Sequence, residues 1–192
     1  MEMNPFLEKE YSTCMEQLRF YDTRHNELLK YLVSLTSAVA TASFALFQYL
    51  TAKSAYYFAL QAILSGVVFI GGLLLFFAMT ENRLYFIRVA RQINSIRNYC
   101  LKTIAKKFEK ENQLWRNKAM PAFRFGSIHT YQLIGAAMIN AIFLCICIYS
   151  IFKSLCREVA VWLIFLLGII MIIIEIFWSA RHLTREGRRS LK

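Results

Sequence analysis

An all-α integral membrane fold, with four transmembrane helices and a cytoplasmic extension built from the N-terminal helix and an elongated second span, follows from three features of the sequence. Four mostly apolar windows, 32–50, 56–79, 131–152 and 159–178, are long enough to cross a bilayer, which takes about 20 residues. None contains Lys, Arg or Asp, and their only acid is Glu175. Hydrophobic residues make up 57% of the 192, with seven Gly and two Pro, a composition that leaves little polar surface for a soluble globule and few interruptions of helix. Lys and Arg number four in residues 1–30, eleven in 80–130 and five in 179–192, against three in the two short hairpins. The positive-inside rule then puts both termini and the long basic loop on the cytoplasmic side.

Residues 1–31 form the first element, a cytoplasmic heptad helix. Leu7, Tyr11, Cys14, Leu18, Tyr21, His25 and Leu28 recur at alternating spacings of four and three, the seam of a helix that starts near Pro5. No Gly or Pro lies between Phe6 and Leu50, so this helix is expected to run directly into the first span, 32–50. The first apolar stretch is of full span length with no cleavage pattern after it, which predicts a retained anchor. On one face of that span stand Ser34, Ala38, Thr41, Ala45 and Gln48, a stripe of small and polar side chains. Such a stripe permits close helix approach in lipid, whether to a helix of the same subunit, to another subunit or along a pore wall.

The second span, 56–79, has no evident stop. Beyond it Phe86, Val89, Ile93, Ile96, Cys100, Ile104 and Phe108 keep an apolar stripe at helical spacing. Arg83, Arg88, Arg91, Arg97, Lys102 and Lys106 occupy much of the remaining surface and are candidates for binding a partner or anionic lipid. A single helix of roughly fifty residues is expected, leaving the membrane beside the N-terminal helix and pairing with it antiparallel. Residues 1–30 carry net −2 and residues 81–111 net +5, which favours that docking, although the apolar seam must supply most of its stability. Within 80–130 the helix gives way to a loop that returns to the membrane. Asn117, Pro121 and Gly126 break continuity there, and Phe123 and Phe125 flank Arg124 either as a segment at headgroup level or as an ordinary loop.

The third span, 131–152, places Asn140 mid-membrane, and Gln61 of the second span lies nearer the outer leaflet; each must find a polar partner or line a polar pathway. The fourth span, 159–178, carries Glu175 about one turn before Trp178. An intramembrane carboxylate is costly, and here it serves either a structural pair, for instance with Arg83, or a gating role. Residues 179–192 form a basic tail suited to anionic lipid.

Catalytic patterns are missing. Three histidines, a single aspartate, and no HExxH, CxxC, GxSxG or P-loop sequence argue against an enzyme, a bound metal or any other cofactor. Cys145 and Cys147 are two apart on a helix and point to nearly opposite faces. Arg19 with His25 and Arg124 with His129 fit the loose Arg-x4–6-His spacing of HEPN ribonucleases, but Phe follows each Arg where that family favours a polar residue, and His25 sits on the heptad seam. The net charge of +11 lies beside membrane spans, so nucleic acid is not the expected partner.

The heptad-bearing N-terminal helix, tight outer hairpins, long basic extension and lack of enzymatic motifs resemble the small four-span proteins of bacterial conflict systems, the SLATT-like pore-forming effectors, and suit the membrane subunit of a Kiwa-type defence system equally. The run Glu81-Asn82-Arg83-Leu84-Tyr85-Phe86-Ile87-Arg88-Val89-Ala90-Arg91-Gln92-Ile93-Asn94 is also similar to one met in bacterial membrane proteins. The resemblance implies a homo-oligomeric, channel-like or membrane-perturbing component of antiphage defence in the bacterial inner membrane, responding to a cytoplasmic signal or protein partner. The alternative is a non-conducting anchor that recruits a soluble effector through its basic helix.

Overall fold

A computed structural model of the protein describes residues 5–50, 54–104 and 121–189. Four helices account for nearly all of them: α1 (Pro5–Tyr49), α2 (Ala55–Ile104), α3 (Ile128–Ser154) and α4 (Val161–Arg189). Each is long and apolar enough to cross a membrane, and no strand occurs among the described residues.

α1 opens on Pro5, whose fixed φ suits a first helical position where the missing N–H costs nothing. Its 45 residues and the 50 of α2 give lengths of about 68 and 75 Å, more than twice the thickness of a bilayer's hydrocarbon core. The stretches that outrun the apolar windows therefore need their own packing, and they find it in each other. Cys14, Val89 and Ile93 are buried between them, flanked by Tyr11, Met15, Leu18 and Tyr21. The pairing is antiparallel: Arg97 donates to the Tyr11 hydroxyl at 2.6 Å, whereas Asn82 donates to the Tyr21 carbonyl at 2.7 Å and the Tyr21 and Tyr85 rings stack at 5.7 Å. The heptad seam is the face that meets α2. Cys14, His25 and Leu28 are buried and Leu7, Tyr11, Leu18 and Tyr21 half-buried.

Toward the apolar windows the core passes from a pair of helices to all four. Leu28, Leu32, Phe76, Met79, Leu133, Ala136 and Ala137 form one buried cluster, closed on the α4 side by Ile172 and Ile176. Ser127 caps α3, accepting from the Thr130 N–H at 3.3 Å, and α3 and α4 are joined by a tight turn in which Cys156 takes a left-handed φ of 52°.

α4 departs from the sequence expectation. Its helix continues past Trp178 through the residues assigned to a tail, as far as Arg189. The reason is apolar burial: Leu183 packs with Leu84, Ile87 and Ala122, and Phe123 closes the same cluster. The Thr80 and Ser179 hydroxyls share a hydrogen bond at 3.2 Å, and Arg91 donates to the Gly187 carbonyl. Of the aromatic pair flanking Arg124, Phe123 is thus drawn inward, while Phe125 stays exposed with its ring edge-on to Phe123 at 5.1 Å. Phe108, Lys106 and Asn117 lie outside the described residues, as does the side chain of Lys102.

Candidate functional site

Two buried polar sites stand at different heights in the bundle, and a third polar feature lies on its outside. The first joins α3 to α4. Asn140 is fully buried and Glu175 nearly so, and the Asn140 amide donates to both carboxylate oxygens at 3.3 Å. A buried carboxylate is tolerated only with such a partner, and the partner here is an amide, not a base. Arg83 belongs to the other site. Asn140 reaches its place because α2 has no side chain there: a Cβ at Gly72 would collide with Asn140 Oδ1. Gly168 serves the same purpose on α4, where a Cβ would come 2.7 Å from Cys145 Sγ. Cys145 donates to the Ile164 carbonyl of α4 and Cys147 to the Ala62 carbonyl of α2, so the two thiols face different helices. Gln61 has its partner within α2, donating to Ser65 at 3.4 Å.

The second site lies where α1, α2 and the start of α3 meet. His25 of α1 and His129 of α3 are packed edge to face with ring centroids 4.6 Å apart, and Phe86 of α2 lies 5.1 Å from His129. His25 is 0% exposed and neither of its ring nitrogens has a hydrogen-bond partner of normal geometry. Arg83, 3% exposed, lies over the Phe86 ring at 5.1 Å, and Asp22 comes within 3.6 Å of His129 Nε2. Burial, reinforced by the nearby His129 and Arg83, pushes the His25 pKa down from 6.5 to about 4. Burial and Arg83 lower His129 as well, with Asp22 opposing. Desolvation brings even Arg83 to about 10. The cluster is a set of neutral imidazoles held against a buried guanidinium. The two Arg-x4–6-His pairs bring their histidines together, while Arg19 and Arg124 are both exposed.

The remaining predicted residues divide sharply. Of the basic set on α2, Arg83 and Arg91 are buried and Arg88 and Arg97 half-buried, engaged with α4 and α1: Arg88 pairs with Glu186 at 3.9 Å and Arg97 with Tyr11. Arg88, Arg91 and Arg97 thus make contacts within the subunit, on side chains that the sequence also offers to a partner or lipid. The α1 stripe does the reverse. Ser34, Ala38, Thr41 and Gln48 are exposed on the outside of the bundle and Ala45 is half-buried. Thr41 satisfies its hydroxyl on the Ser37 carbonyl of its own helix, but Ser34 and Gln48 have no partner among the described residues.

Sequence reasoning did not find Gly72 as the seat of Asn140, the His25–His129 contact or the Thr80–Ser179 link. Each joins residues far apart in the chain, and no local pattern signals them. Among the described residues no three of the His, Cys, Asp and Glu side chains gather closely enough to hold a metal. No protein-family model, curated protein or solved structure matches this chain.

Proposed function

We propose that this chain is the subunit of an oligomeric membrane assembly, channel-like or membrane-perturbing, whose spans respond to a signal or partner received by the α1–α2 pair on the cytoplasmic side. The observation that carries this reading is the outward placement of Ser34, Ala38, Thr41 and Gln48 along α1. Inside hydrocarbon an amide such as that of Gln48 seeks a polar partner, and small side chains let a second backbone come close. The subunit's own helices leave that face open, so the natural occupant is another copy, with any pathway lying between subunits. The continuous α1 and α2 supply a mechanical route, since each runs unbroken from its apolar window into the paired extension. The distribution of Lys and Arg supports cytoplasmic termini, and the SLATT-like resemblance supports the bacterial inner membrane and antiphage defence as the setting.

Cysteine placed at Thr41 in a variant without native cysteines is expected to cross-link two copies in the membrane, and the purified protein in liposomes to conduct ions once activated. A chain that stays monomeric, and liposomes that stay tight with or without the product of a neighbouring gene, would sink the reading. The alternative of a non-conducting anchor recruiting an effector through 81–111 draws less support, because Arg88, Arg91 and Arg97 are engaged with α4 and α1.

A further inference from the structure

The outer surface of the α4 extension carries a cationic row that the fold does not use. Phe177, Arg181, Thr184, Arg185 and Arg188 recur at spacings of four, three, one and three, which sets them on one helical face. All five are exposed and line a shallow open groove. The opposite face, Ser179, Leu183 and Gly187, is buried against α2. Glu186, the one acid in α4 beyond Glu175, is drawn away to Arg88 and Arg189. Arg181, Arg185 and Arg188 have no hydrogen-bond or ion-pair partner among the described residues. The row is thus purely positive, and it is held in a fixed direction by Leu183 and by the Thr80–Ser179 hydrogen bond. It also continues an apolar surface, since Ile173, Ile174 and Phe177 are exposed immediately before it.

We propose that this face is a binding site for the headgroup phosphate of an anionic phospholipid, with the acyl chains along Ile173, Ile174 and Phe177 and the phosphate among Arg181, Arg185 and Arg188. A guanidinium binds phosphate through paired N–H donors, and the helix offers three of them within about three turns of an apolar span end. A nucleic acid or an acidic peptide would meet the arginines but leave the adjoining apolar surface uncovered; a phospholipid satisfies both. The site does not depend on the oligomeric reading, only on α4 crossing a bilayer.

The test uses the full-length protein, equilibrated in detergent with equal amounts of phosphatidylglycerol and phosphatidylcholine and measured by native mass spectrometry for retained lipid. Each cationic side chain at an anionic surface contributes about fivefold to partitioning, so the wild type is expected to favour phosphatidylglycerol by on the order of a hundredfold and to lose that preference as salt is raised. Arg181→Gln/Arg185→Gln/Arg188→Gln removes the preference; Arg185→Gln alone weakens it about fivefold, and Arg124→Gln, at another exposed position, leaves it intact. Equal retention of both lipids by the wild type, or an unchanged preference in the triple variant, overturns the proposal. So does displacement of the lipid by millimolar inorganic phosphate, which would mark a small-anion site, or by a single-stranded oligonucleotide.

Discussion

At the scale of single residues, the bundle holds several buried polar groups, each met by a side chain from another helix. Asn140 and Glu175 solve the problem of an intramembrane carboxylate by pairing it with an amide, and the solution exists only because residue 72 is glycine. Gly72→Ala is expected to cost about 1–3 kcal/mol, the range for forcing a methyl group into a packed interior, and Asn140→Ala in the same chain should recover most of that loss. Denaturant unfolding of the four proteins of the cycle measures the coupling, and penalties that merely add would refute the contact. His25 yields a prediction with a definite sign. Its native pKa, about 4, lies below its ordinary 6.5, so the unfolded chain takes up a proton that the folded site, facing His129, Arg83 and Asp22, excludes. The stability it confers is complete above pH 6.5 and is lost as pH falls toward 4, by up to about 3 kcal/mol. Thermal unfolding in detergent should show this fall, and His25→Leu should flatten it by half or more; an unaltered slope would remove His25 from the explanation.

Among the elements, the long helices persist past their apolar windows because each extension has a partner. α1 lies on α2 through a heptad seam, and the last three turns of α4 lie on α2 through Leu183, Ser179 and Gly187. The second docking is the less expected, since a segment with five Lys and Arg in 179–192 looks like a loose tail. Leu183, 1% exposed, is its anchor. Leu183→Ala should destabilise the protein by about 2–5 kcal/mol and open residues 179–189 to trypsin, which would otherwise spare the arginines of a packed helix. Limited proteolysis followed by mass spectrometry reads both, and equal cleavage of the two proteins would mean that α4 is held some other way. The arginines of α2 change role at this scale too. On a helical wheel Arg88 and Arg91 lie on one side of α2 and Arg97 on the other, and the neighbouring helices meet both sides: Arg88 reaches Glu186 and Arg91 the Gly187 carbonyl of α4, while Arg97 reaches Tyr11 of α1.

Taken whole, the molecule is a membrane-sized bundle whose one half continues as packed helices beyond the apolar windows. Orientation belongs to this scale, because it is set by the balance of Lys and Arg over all segments and by no single residue. With the other four cysteines replaced by Ser, the exposed Cys156 in the α3–α4 turn is expected to react with a membrane-impermeant maleimide added outside intact cells. Cysteine introduced at Arg188 in the same background should react only after permeabilisation. The opposite pattern would invert the topology.

Composition and periodicity were enough to specify the helical class, the four apolar windows and the continuity of α1 and α2, and they mark the seam along Leu7, Tyr11, Leu18, Tyr21 and His25. All of these are periodic or compositional, and local side-chain chemistry is enough to express them. That Glu175 pairs with Asn140 and not with Arg83, that His25 meets His129, and that Arg91 and Leu183 join α2 to α4 emerges once the helices are packed together. The same packing decides which polar face of α1 is left uncovered. Contacts of that kind are fixed by the rotation of each helix about its axis and by its height against its neighbours. Those quantities depend on small residues such as Gly72 acting across the bundle, where a linear pattern carries no record of them.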